Sequence, residues 1–97
     1  MEENSIMADF ESFYIISIIG FEHKTYYLTI NTNNIEYNRD YKLATRYSSL
    51  EEACKIVTGY KDKIKSNSYD IIDDEYDIHI NHIENIVTMK VVDSRKG

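Results

Sequence analysis

The chain has 97 residues, 42% of them hydrophobic, with 17 acids against 11 Lys and Arg for a formal net charge of -6, three glycines and no proline. That length holds one domain and one core, burying about 60–68% of the surface an unfolded chain exposes, and so little Gly and Pro at near-average apolar content excludes low-complexity disorder. Nonspecific nucleic-acid binding needs a basic footprint, and outside Lys61, Lys63 and Lys65 the chain has none, so direct contact with DNA or RNA is not expected.

In chain order, the first predicted element is "SFYIISIIG" at 12–20, β-branched and aromatic on both alternating faces, with Phe13, Ile15 and Ile19 on one and Tyr14, Ile16 and Ile18 on the other. A run apolar on both sides reads as a central strand. After Gly20 the polar "FEHKT" supplies a turn, and "YYLTI" at 26–30 alternates, so the two runs read as a hairpin. "NTNN" at 31–34 is a turn signal, because Asn tolerates left-handed backbone and bonds its own chain. Tyr41, Leu43, Thr45 and Tyr47 then alternate in "YKLATRY", which predicts a third strand over 41–47.

"SSLEEACKIVTGYKDKIKSNS" predicts a helix, since Ser48 with Glu51, or Ser49 with Glu52, forms an S-x-x-E capping box. Leu50, Ala53, Cys54, Val57, Tyr60 and Ile64 recur at spacings of three and four. Glu51 and Glu52 open the helix and Lys61, Lys63 and Lys65 close it, complementing the macrodipole. The lysines are thereby explained without a ligand. Beyond it, Tyr76, Ile78 and Ile80 alternate with Asp77, His79 and Asn81, predicting a strand over 76–81 with one wet face. "NIVTMKVV" at 85–92 predicts a last strand, joined through a turn near His82–Asn85.

The expected fold class is therefore α+β: an antiparallel sheet of about five strands in the order β-β-β-α-β-β, with one amphipathic helix packed on one face. It is expected as a single domain over 1–97, with 1–11 a flexible N-terminal segment. A helix of about 18 residues spans about 27 Å and covers only part of such a sheet. The opposite face, where some of Tyr14, Ile16, Ile18 and Tyr27 are expected, then needs a cover: loops, a partner, or a second copy in a homodimer.

Charge is distributed unevenly. Six acids and no Lys or Arg lie between Asn67 and Asn85, so the other 11 acids balance all 11 bases and the whole excess belongs to that segment. Its centre, "DDEYDIHINHIE", also holds His79 and His82, which invites a metal reading. Residues three apart on a strand point to opposite faces, so these histidines do not share an ion, and Asp77 with His79 falls short of the three or four ligands a site needs. A solvated polar face is the better reading, and no metal or cofactor is expected.

Cys54 falls on the apolar side of the helix, where free cysteine is usually a small buried hydrophobe. Catalysis by it would require a neighbouring base. Adjacent surface acids rarely form the separated acid and base pair that catalysis uses, and no phosphate-cradling glycine loop or nucleophile elbow is present. The chain is expected not to be an enzyme. The acidic segment reads either as a solubilising edge or as a surface that suits a basic groove on another protein, with Asp70, Asp73, Asp74, Glu75, Asp77 and Glu84 supplying steering charge and Tyr69, Ile71 and Tyr76 apolar anchors.

The single cysteine excludes an internal disulfide, which makes a cytoplasmic setting the default. "MEENSIMADFES" lacks the basic start and apolar run of a signal peptide, and no run approaches the ~20 apolar residues that span a bilayer. No membrane association is expected. Fifteen Ile, nine Tyr, eight Asn and eight Lys match usage drawn from A/T-rich codons, as in a low-GC bacterium or its phage. The stretch "YYLTI... YKLATRYSSLEEACKIV", with Ala44, Arg46, Tyr47, Ser48, Ser49, Leu50, Glu51, Glu52 and Ala53 at a strand-to-helix junction, resembles small, mostly uncharacterised phage and prophage proteins of low-GC bacteria. The resemblance covers about residues 26–57. It implies an anti-defence neighbourhood, in which small acidic phage proteins inhibit host nucleases or CRISPR and restriction complexes, inside the bacterial host cell. Two other classes are a small-ligand or metal-binding sequestering module and a self-assembling structural accessory protein.

Overall fold

The computed structural model describes residues 12–32, 34–67, 72, 76–84 and 88–96. Five antiparallel strands form one open sheet in the order β3-β2-β1-β4-β5: β1 Ser12–Ile19, β2 Thr25–Ile30, β3 Ile35–Asn38, β4 Asp77–Glu84 and β5 Thr88–Lys96. The single helix, α1, spans Leu50–Asn67. The fold is α+β in the expected element order. The expected N-terminal segment, 1–11, lies outside the described residues.

β1 is the central strand because it is apolar on both sides. Ile16 and Ile18 face α1, where they are buried with Leu28, Ile35, Tyr47, Ala53, Val57, Ile64, Ile72, Tyr76, Ile78 and Ile80. Phe13 and Ile15 face away and form a second cluster with Ala44 and Ile83, flanked by Tyr27 and Tyr41. Of the four residues from which the far face is expected to draw, Tyr14, Ile16 and Ile18 thus lie on the helix side. Tyr27 does lie on the far face, and that face is not bare, since Phe13, Ile15 and Ile83 are each at most 7% exposed.

The third strand differs from expectation. Asn31 and Asn34 exchange backbone hydrogen bonds (2.8 and 3.4 Å), so the chain re-enters the sheet at once and Ile35–Asn38 takes the place beside β2. Residues 41–47 are a 3-10 turn, Tyr41–Leu43, followed by one bridge between Tyr47 and Tyr14. Asp40 accepts from the Lys42 N–H at 3.0 Å, a local bond that competes with strand pairing. β1 and β2 pair only over Ser17–Ile19 and Thr25–Tyr27, and 44–47 enters the gap where they diverge. There Thr45 donates its N–H to the Leu28 carbonyl (3.1 Å) and accepts from the Ile30 N–H through its hydroxyl (2.8 Å).

α1 starts as the second capping alternative predicts. The Glu52 N–H donates to Ser49 Oγ (3.1 Å), and Glu52 Oε1 accepts from both the N–H and the hydroxyl of Ser48 (3.0 Å each), satisfying donors that a helix start otherwise leaves open. Ala53, Val57 and Ile64 are fully buried, whereas Leu50 is exposed and Cys54 only half-buried.

β4 runs on to Glu84, beyond the expected end at Asn81, because β1 offers it a partner at every position from Ile19↔Asp77 to Ser12↔Glu84. β5 is shifted correspondingly toward the C-terminus, and a β-bulge separates the pairs Ile80↔Asp93 and Asn81↔Val91. The expected wet face of β4 is only partly wet. Asn81 is 4% exposed and donates through Nδ2 to the buried Ser17 hydroxyl at 2.9 Å, because β4 is an interior strand.

Candidate functional site

Of the expected contact residues, Tyr69, Asp70, Ile71, Asp73, Asp74 and Glu75 lie outside the described residues. Tyr76 is corrected: at 4% exposure it belongs to the core under α1 and offers no surface anchor. Alternation alone places it there, on the same side of β4 as Ile78 and Ile80. Burial raises its phenol pKa, with the Asp62 carboxylate adding to the shift, and its hydroxyl has no hydrogen-bond partner among the described residues.

Asp77 and Glu84 stand at opposite ends of β4, about 23 Å apart at strand rise, so they do not form one patch. Asp77 is half-exposed and pairs with Lys96 across the β4–β5 ladder at 3.1 Å. Glu84 is exposed opposite Ser12. The histidines separate as strand geometry requires. His79 sits beside Ser17 on the face away from α1, while His82 stacks on Tyr14 with 4.5 Å between ring centroids and 12° between planes, its Nε2 hydrogen-bonded to the Ser12 hydroxyl. Among the described residues no three His, Cys, Asp or Glu converge on a point that could hold a metal ion.

What gathers around Asp77 comes from the β1–β2 turn. The pairing Ile19↔Asp77 brings that turn beside the start of β4, and Ile19, Gly20, Glu22, His23, Tyr76, Asp77 and Lys96 line a cavity of about 300 Å³. Glu22 and His23 hold φ of 59° and 60°, a left-handed conformation uncommon for residues other than glycine. The adjoining Phe21 is 42% exposed. Glu22 pairs with Lys24 at 3.3 Å, and in both this pair and Asp77–Lys96 each side chain is at least 40% exposed. Exposed pairs contribute at most about 1 kcal/mol, so either carboxylate can exchange its lysine for a cation from outside.

Sequence reasoning missed Phe21, Glu22 and His23 because they lie more than 50 positions from Asp77. No local sequence signal joins them, since the antiparallel pairing of β1 with β4 is what sets the first turn beside Asp77.

A second concavity, an open cleft of about 660 Å³, lies between the β2–β3 turn and α1. Ile30, Asn31, Thr32, Asn34, Thr45, Tyr47, Ile56 and Tyr60 line it, and none of these side chains carries a formal charge. Burial raises the Tyr47 pKa there, against a lowering hydrogen bond from Thr45 and a further raising contribution from Glu52 and Tyr60. Cys54 lies on the other flank of α1, 3.6 Å from the Arg95 guanidinium. No helix among the described residues is long and apolar enough to cross a membrane. No protein-family model, curated protein or solved structure matches this chain.

Proposed function

We propose that this is a small non-enzymatic binding protein of phage or mobile-element type, acting in the bacterial cytoplasm by occupying a basic surface of a host or defence protein such as a restriction or CRISPR nuclease. One observation carries the reading: the whole formal charge excess lies between 67 and 85, and the first described acid of that segment, Asp77, lines one cavity with Glu22 of the first turn. Carboxylates from two distant parts of the chain thus gather at one end of the sheet. Phe21 replaces Tyr76 as the aromatic anchor that such a contact needs. Acidic surfaces of this kind accelerate encounter and select for a basic partner, and the attraction weakens as salt rises. Affinity capture from a low-GC bacterial lysate tests it. The wild-type chain retains a basic protein that high salt releases, and a variant with Asp73, Asp74, Glu75 and Asp77 changed to Lys does not.

The uncharged cleft between the β2–β3 turn and α1 supports a second reading, a module that sequesters a small neutral ligand through amides, hydroxyls and aromatic rings. Calorimetric titration with nucleosides tests it, and no heat at any concentration removes it.

A further inference from the structure

β5 is the long edge of the sheet: nine residues, against four in β3 at the other edge. Among the described residues no strand pairs with its outer side. Such an edge presents unpaired N–H and C=O groups as a template for another strand. Of the six exposed large hydrophobic residues among the described ones, three (Met89, Val91 and Val92, at 44, 47 and 37% exposure) fall within four positions on β5. The strand is thus apolar at its centre, with Lys90 and Asp93 immediately outside the valines.

From this we infer that β5 pairs edge to edge with β5 of a second copy, antiparallel, continuing the two sheets into one. The bulge decides the register. Asp93 and Arg95 lie on the α1 side of the sheet, opposite Ile80 and Ile78, as do Lys90 and Thr88, opposite His82 and Glu84. Val91, Met89 and Ser94 lie on the other side, opposite Asn81, Ile83 and His79, and Val92 is the extra residue. Opposed residues in an antiparallel pair must share a face. A twofold register centred on Val92 breaks that rule, setting Val91 against Asp93 and Met89 against Arg95.

The register centred between Val91 and Val92 keeps it. Lys90 then faces Asp93 of the second copy, twice by symmetry, around a centre where Val91 faces Val92. Met89 faces Ser94 and Thr88 faces Arg95. Moving the pairing so that Val92 faces Asp93 keeps the faces matched only at the flanking pairs and sets Lys90 against Arg95, two like charges that repel. Arg95 Nε already donates to Asp93 Oδ2 at 2.9 Å, which holds the acceptor in place for the incoming lysine. The edge is therefore self-complementary in face and in charge.

Light scattering after size exclusion, over a hundredfold concentration series of the full chain, tests this. The wild type forms a reversible dimer. Lys90→Glu and Asp93→Lys each replace two attractions with two repulsions and weaken dimerisation at least tenfold, and the Lys90→Glu, Asp93→Lys double variant restores it. Far-UV circular dichroism checks that each variant folds. If Asp93→Lys unfolds the chain, the exposed Lys90→Glu decides alone, through its loss of dimer. A wild type that stays monomeric overturns the proposal. So does a dimer that neither single substitution weakens, or a folded double variant that fails to regain it.

Discussion

Asn81 Nδ2 donates to Ser17 Oγ at 2.9 Å beneath the sheet, joining β4 and β1 through two side chains that are 4% and 1% exposed. Removing one partner of a buried hydrogen bond leaves the other desolvated and unsatisfied, which costs about 1–3 kcal/mol. Ser17→Ala is expected to destabilise by that amount in urea unfolding. Combining it with Asn81→Leu, which removes the stranded amide, is expected to cost less than the sum of the single changes. Strict additivity would show that the two groups do not depend on each other.

Tyr76 behaves as a core residue. Its ring is buried under α1 and its hydroxyl has no partner among the described residues, so Tyr76→Phe is expected to leave stability unchanged or raise it by up to about 1 kcal/mol, while Tyr76→Ala costs about 3–5 kcal/mol. Tyr76→Phe also leaves partner capture intact. A loss of capture with retained stability would return Tyr76 to the contact.

Burial is the leading cause that raises the phenol pKa at Tyr27, Tyr47 and Tyr76 above the ordinary value of 10.0. A raised pKa in the folded state means that the unfolded chain releases these protons first as pH rises. Their contribution to stability is therefore fully present below about pH 10 and is lost as pH climbs through the folded-state values. The urea midpoint is expected to fall above pH 10, and tyrosinate absorbance to rise in two steps, the later one coinciding with unfolding. A single step before any loss of structure would contradict this.

Gly59 sits on the exposed side of α1, and a Cβ built there meets nothing within 4 Å. Gly59→Ala removes backbone freedom from the unfolded chain without a clash, and a gain of about 0.5–1 kcal/mol is expected. Ser49→Ala acts in the opposite direction, since it strands the Glu52 N–H at the helix start, at a cost of about 1 kcal/mol. Thermal unfolding of the two variants should bracket the wild type.

The sequence made the helix, its cap and the central strand legible because each rests on a local rule: spacing of three and four, an S-x-x-E box, and a run apolar on both faces. The separation of His79 from His82 followed from strand alternation alone. The third strand was not legible, because Tyr41, Leu43, Thr45 and Tyr47 alternate as a strand does, while the tight Asn31–Asn34 turn and the Asp40 side-chain bond decide the geometry. The end of β4 was set by the length of β1, and the burial of Asn81 by β4 lying inside the sheet. Both are tertiary effects that no window of β4 contains. Phe21 and Glu22 came to the site through pairing across 58 positions, from Ile19 to Asp77.

On the proposed reading, the acidic segment between 67 and 85 binds a basic protein. Parallel capture from one lysate, with the wild-type chain and the folded Asp73, Asp74, Glu75 and Asp77 to Lys variant, tests it most directly. A basic protein is expected to elute from the wild type as salt rises and to be missing from the variant. Recovery of the same proteins by both chains, with the same salt dependence, would contradict it.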